Sequence, residues 1–162
     1  MPVVSVADSG PLISFARASL FNLLHGVFDE IVIAPAVYDE IVVAGADRPG
    51  AQEVAQAAWI RQEALCDPIA PEAMPPRLHA GEREAIALAR QMGLPLLVDD
   101  PSARREARRL GVSVAGSIAV LLEAKHRAII PQVQPVLDRM IGAGFRSSQR
   151  LYDDVLRLAG EA

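Results

Sequence analysis

Short β-branched runs alternate with helical stretches along this chain, and that alternation limits what it can fold into. Val3–Ala7 is a brief apolar run stopped by Asp8-Ser9-Gly10-Pro11, the mark of a buried strand. Leu12–Leu24 reads as a helix and Glu30–Ala34 as a second strand. Pro35 opens a helix, because proline fits the first turn. Ala51–Trp59 reads as helical, with Trp59–Leu65 expected at a sheet edge. Asp67–Arg77 carries four prolines and reads as a surface loop. Gly81–Met92 is an alanine-rich helix, followed by strand Leu94–Val98 and the basic helix Pro101–Leu110. Strand Val112–Ala115, helix Ser117–His126 and two helices near Gln132–Ile141 and Ser147–Leu158 close the chain. There is no internal repeat and no linker long enough to divide the chain, so residues 1–162 are expected to form one domain. The pattern predicts an α/β fold of three layers, α/β/α, around a central, mostly parallel sheet of four to five strands.

In an open parallel sheet, ligands sit beyond the carboxyl ends of the strands, near the switch in strand order. Asp8 follows the first strand directly, and Asp99 and Asp100 follow Leu94–Val98. Each also has a plain structural reading. Asp8 or Ser9 can cap a helix, and Asp100-Pro101 is a common cap followed by a first-turn proline. Glu82 shares a helix face with Ala85, Ile86 and Ala89, the stripe expected to face the sheet, whereas Glu84 points elsewhere. Glu40 shares a weaker face with Val37, Ile41 and Ala44, blurred by Val42 and Val43.

If Asp8, Glu40, Glu82 and Asp99 or Asp100 meet at one sheet edge, they repel one another and raise each other's pKa. A cation relieves that repulsion. An all-oxygen ligand set suits Mg²⁺, with Mn²⁺ as the alternative. His25, His79 and His126 lack the spacing of a zinc site, and a lone Cys66 excludes both a cysteine cage and an internal disulfide. The chain carries 16 Lys and Arg against 20 Asp and Glu, a net charge of -4, so bulk positive charge does not bind it to nucleic acid. Local charge is available: Arg104, Arg105 and Arg108 can share one helix face, which either guides a polyanion or pairs with surface acids such as Glu106. Aromatic residues make up 4% of the chain, too few for a base-stacking platform. With no membrane span, no signal peptide and no disulfide expected, the reading places the protein in the cytoplasm.

In order along the chain, these segments resemble the PIN-domain ribonucleases, which include the toxin nucleases of toxin–antitoxin pairs. Val-Ala-Asp8-Ser9 is similar to the family's first-strand aspartate and small hydroxyl residue. Pro35-Ala-Val37-Tyr-Asp-Glu40 is similar to its second acidic position, and Gly81-Glu82-Arg-Glu-Ala-Ile to its third. Leu96-Leu97-Val98-Asp99-Asp100 resembles its fourth-strand acidic end, and Val114-Ala-Gly116-Ser117 a later strand–Gly–Ser turn. Gly-Glu-Arg-Glu-Ala-Ile, Asp-Asp-Pro-Ser-Ala-Arg-Arg and Leu-Tyr-Asp-Asp-Val-Leu resemble a bacterial and archaeal subgroup of PIN-like proteins. Val98 stands where a hydroxyl residue often precedes the fourth aspartate, and Glu82 replaces an aspartate.

The resemblance implies a Mg²⁺- or Mn²⁺-dependent endoribonuclease. It assigns Asp8, Glu40, Glu82 and Asp100 to catalysis. Asp8, Glu82, Asp99 and Asp100 become metal-ligand candidates, with Asp100 favoured over Asp99 as the acid facing the ion. Ser9 and Ser117 would orient carboxylates or water, and Arg104, Arg105 and Arg108 would meet RNA. A homodimer and an antitoxin-like protein partner are further expectations. Three other readings compete: a catalytically silent PIN-like module that binds RNA or a partner, a receiver-type phosphoacceptor, and a dinucleotide-binding enzyme. The second lacks a lysine after the late strand near Gly116, and the third lacks a Gly-x-Gly-x-x-Gly turn.

Overall fold

Four apolar or β-branched runs end at an acid, a proline or a glycine in the sequence, and the chain reverses at each through helices. A computed structural model describes residues 1–66 and 73–162. Strand β1 is Val4–Ala7, β2 is Glu30–Ile33, β3 is Ile60–Gln62, β4 is Leu96–Leu97 and β5 is Val114–Ala115. All neighbours pair in parallel, in the order β3-β2-β1-β4-β5. The strands are shorter than the sequence predicts, because only part of each run finds ladder partners. The chain builds outward from β1 through β2 and β3, then returns to add β4 and β5 on the other side. The switch in strand order therefore falls between β1 and β4. Their register pairs Val6 with Leu96 and Ala7 with Leu97, and the Asp8 amide donates to the Leu97 carbonyl at 2.9 Å.

Helices flank the sheet in a three-layer α/β/α arrangement. Helix α1 is Ser9–Arg17, α2 Phe21–Val27, α3 Pro35–Tyr38 and α4 Ala51–Gln56. Helix α5 is Ala80–Met92, α6 Pro101–Arg109, α7 Ser117–His126, α8 Gln134–Gly142 and α9 Gln149–Leu158. Helix α2 packs on α7 and α1 on α8, while α5 packs on α3 and α6. Leu12, Phe15, Leu24, Ile31, Leu96, Leu97 and Leu121 are fully buried between these layers, and their removal from water is the main driving force for the fold. Among the described residues, no helix is long and apolar enough to cross a membrane.

Two local features depart from the expected pattern. The single helix expected over Leu12–Leu24 is two helices. Ser19 adopts a left-handed conformation, φ 57°. Around it the Leu20 amide donates to Phe15 O and the Ser19 amide to Ala16 O, which closes α1 in a Schellman turn. Glycine usually takes that position, so a serine there gives no warning in the sequence. Second, α3 widens into a π-helical turn over Asp39–Val43, with the Ala44 amide donating to Asp39 O at 2.7 Å. The extra residue per turn buries Val37 and Ile41 and leaves Val43 exposed, which explains the blurred periodicity there. Part of the expected proline-rich loop, residues 67–72, lies outside the described residues.

Candidate active site

Asp8 ends β1 and enters α1. Although it occupies the N-cap position, its side chain makes no capping bond. The residue is 5% exposed, and its Oδ1 has no hydrogen-bond partner among the described residues. Burial without a partner disfavours a charged carboxylate. It pushes the Asp8 carboxyl up to about 7, helped by the charges of Glu82 and Glu40 and opposed by the nearby Ser9 and Gly10 amides.

The next residue, Ser9, donates from Oγ to Glu40 Oε2 at 2.6 Å. Glu40 comes from the π-helical turn and is itself exposed. Its carboxylate lies against Gly81 in the first turn of α5. A Cβ at Gly81 would sit 2.7 Å from Oε1 and 2.9 Å from Oε2, so a larger residue there would push the carboxylate out of its present position.

Glu82 is half-buried, and its Oε1 accepts from the His79 amide at 2.9 Å. It thus caps its own helix, while burial and the adjacent Asp100 carboxyl raise its pKa. Asp100 is exposed at the N-cap of α6, where its Oδ2 accepts from the Ala103 amide at 2.9 Å. The capping reading is therefore correct for Asp100, yet the same carboxyl is close enough to Glu82 to help raise the Glu82 pKa.

Asp99 behaves differently. Its Oδ1 accepts from the Ser117 amide at 2.8 Å and its Oδ2 from Ser117 Oγ at 2.6 Å. Both oxygens are thus engaged with the start of α7. Gly116 makes room for them: a Cβ there would sit 2.7 Å from Asp99 Oδ1 and 2.9 Å from Arg104 Nη1. Arg104 Nη1 donates to the Val98 carbonyl at 2.9 Å, which anchors the guanidinium at the same sheet edge. Arg105 Nη2 donates to Ser102 Oγ at 3.2 Å, and both Arg105 and Arg108 are exposed.

The carboxylates thus gather as neighbours: Asp8 with Glu40 and Glu82, and Glu82 with Asp100. Among the described residues, no group of three or more Asp, Glu, His or Cys side chains is placed to hold a metal ion. Sequence reasoning gave no role to Glu84, whose Oε1 accepts from the Ala36 amide of α3 at 3.0 Å, nor a spatial role to Gly81 and Gly116, beside which Glu40 and Asp99 lie.

A family model described as DUF3368, a PIN domain, matches residues 4–161. The chain belongs to the PIN-domain family. Members of this family are generally nucleases. No curated protein matches the chain. Among solved structures, this PIN domain is similar to a PilT N-terminus domain protein, SSO1118, from the hyperthermophilic archaeon Sulfolobus solfataricus P2. The match has a TM-score of 0.55 and 18% identity, and it covers 75% of this chain and 93% of that one. At that identity the likeness concerns the fold.

The residues of this PIN domain suit a hard divalent cation. The orphaned Oδ1 of Asp8 lacks any donor, its neighbours Glu40 and Glu82 are also carboxylates, and all the candidate ligand atoms are oxygens.

Proposed function

We propose that this PIN domain is a metal-dependent endoribonuclease that hydrolyses RNA phosphodiester bonds with Mg²⁺ or Mn²⁺. The buried carboxyl of Asp8, its Oδ1 without a partner among the described residues, beside Glu40 and Glu82 carries the reading, since such a group is stabilised in its charged form by a cation. Asp8, Glu82 and Asp100 would hold the ion, with Glu40 beside them. When bound, the ion supplies an acidified water and a positive charge for the phosphate.

The chain's own residues do the rest. Ser9 holds Glu40 by its hydroxyl. Asp99 is spent on Ser117, so it acts as a structural clip and leaves Asp100 as the acid beside Glu82. Arg104 offers a fixed cation at the sheet edge for an RNA phosphate. Arg105 and Arg108 extend that charge along the exposed side of α6. A toxin-type role with an antitoxin-like partner and a homodimer follow the family resemblance, and with the cytoplasmic location expected from the lone cysteine they are part of this proposal.

A catalytically silent PIN-like module is the second reading. It is favoured by the lack, among the described residues, of three acids placed to hold an ion. RNA incubation with Mn²⁺, with EDTA, and with an Asp8→Asn control separates the two. The nuclease reading expects Mn²⁺-dependent cleavage that falls at least about 100-fold in the variant. Equal cleavage by both proteins, or none by either, contradicts it.

A further inference from the structure

Helix α3 begins without a local cap. Its N-cap residue is Ala34, whose methyl accepts no hydrogen bond, and Pro35 fills the first helical position. The Ala36 amide is then the first N–H in need of an acceptor. Glu84 supplies it from α5, 48 residues further along the chain, through Oε1 at 3.0 Å. A carboxylate at that end also meets the positive pole of the helix.

The same two helices meet a second time. Helix α3 runs directly into the π-helical turn that carries Glu40. The Glu40 carboxylate lies against Gly81 in α5, where a Cβ would meet its Oε1 at 2.7 Å. Gly81 and Glu84 are three residues apart and so neighbours on the helix surface. The α3–α5 seam is thus pinned at Ala36–Glu84 and closely fitted at Glu40–Gly81. The first contact limits how far α3 can move along α5, and a shift of α3 would move Glu40 relative to Ser9 and Asp8.

We propose that Glu84 is a positioning residue: as the cap of α3 supplied by α5, it fixes the seam that holds Glu40 over Gly81 and beside Ser9. This rests on the proposed reading of Asp8, Glu40, Glu82 and Asp100 as a divalent-ion site. Glu84 touches neither the ion nor RNA in this scheme. Its carboxylate charge is secondary, because a neutral acceptor of the same length makes the same bond.

The test uses the full chain with Glu84→Ala and Glu84→Gln. Two readouts are taken: amide hydrogen exchange at Ala36 by NMR, and Mn²⁺ affinity from the electron paramagnetic resonance signal of free Mn²⁺. Glu84→Ala is expected to speed Ala36 exchange and weaken Mn²⁺ binding about 10-fold, the scale seen when groups behind metal ligands are removed. Glu84→Gln is expected to stay within about threefold of the unsubstituted protein in both, since glutamine keeps the acceptor. Unchanged Mn²⁺ affinity in Glu84→Ala overturns the proposal, as does a Glu84→Gln variant as impaired as Glu84→Ala. Absence of Mn²⁺ binding in the unsubstituted protein overturns the ion-site reading and the proposal with it, and is told apart because it appears before any substitution.

Discussion

Ser117 holds both oxygens of Asp99, Oδ1 through its amide at 2.8 Å and Oδ2 through its hydroxyl at 2.6 Å. Asp99 follows β4 and Ser117 opens α7 after β5, so the pair clips two adjacent strand ends together where the sheet meets solvent. Ser117 is fully buried. Gly116 lies extended, at φ -113°, a conformation open to any residue. Glycine is needed there for space.

Ser117→Ala removes one of the two bonds and leaves a charged acceptor short of a donor. That loss is worth about 1–3 kcal/mol. Gly116→Ala forces a methyl toward Asp99 Oδ1 and the Arg104 guanidinium, at a cost of similar size, about 1–3 kcal/mol. Both variants are expected to unfold at lower urea concentration with an unchanged slope. A midpoint equal to that of the unsubstituted protein would show that the clip contributes no stability.

Asp8 makes metal-free stability depend on pH. Its carboxyl is raised from 3.8 to about 7, so the native state keeps a proton that the unfolded chain has lost. The stabilising contribution is complete below about pH 4 and disappears as pH rises through about 7. Asparagine imitates the neutral carboxyl at every pH. In EDTA, Asp8→Asn is therefore expected to match the unsubstituted protein near pH 4 and to exceed it increasingly up to pH 7. The gap levels off above that, on the order of 4 kcal/mol at about 1.36 kcal/mol per pH unit. Chemical denaturation at intervals from pH 4 to 8 measures it. A gap that stays constant with pH counts against an Asp8 carboxyl that is neutral when metal-free.

The parallel sheet and the placement of Asp8, Asp99 and Asp100 just after strands were legible because short apolar runs stop abruptly at those acids. The direction of each side chain was not. Asp99 and Asp100 are adjacent, and alternation along an extended chain sends them apart, but only the position of Ser117 decides which one is consumed. The break at Ser19 escaped notice because serine fills a left-handed position that glycine usually takes. The π-helical turn blurred the face that carries Glu40, since its spacing matches neither 3.6 nor 2.0 residues. The caps of α3 and α8 were invisible for another reason: Ala34 and Val133 are apolar, and the acceptors are Glu84 and Glu161 from distant parts of the chain.

Glu161 closes the end of the chain. Its carboxylate accepts from the Val133 amide at 2.7 Å, the Gln134 amide at 2.9 Å and Lys125 Nζ at 2.9 Å. Burial raises its pKa, but these bonds outweigh that and leave it lowered. The contribution is present above the ordinary glutamate range and lost as pH falls below it. Glu161→Ala is expected to cost about 1.5–3 kcal/mol in thermal unfolding near pH 7, and less near pH 3. The same loss at both pH values would contradict a charged cap.

Arg104 is the arginine of α6 tied to the sheet edge. In an Asp100→Asn background, Arg104→Met is expected to weaken binding of a single-stranded RNA oligonucleotide and lower the salt slope by about one unit. Arg108→Met, further from the edge, is expected to have a smaller effect. Fluorescence anisotropy at several salt concentrations reads both. Equal effects would point to diffuse attraction along the helix.

A calorimetric titration of Mn²⁺ into the metal-free protein near pH 6, below the raised Asp8 pKa of about 7, bears most directly on the acid group. The unsubstituted chain should take up Mn²⁺ with release of protons, because Asp8 must give up the one it holds, and Asp8→Asn should bind at least about tenfold more weakly. Equal affinity in the two proteins, or no uptake by the unsubstituted chain, would contradict a divalent-ion site centred on Asp8.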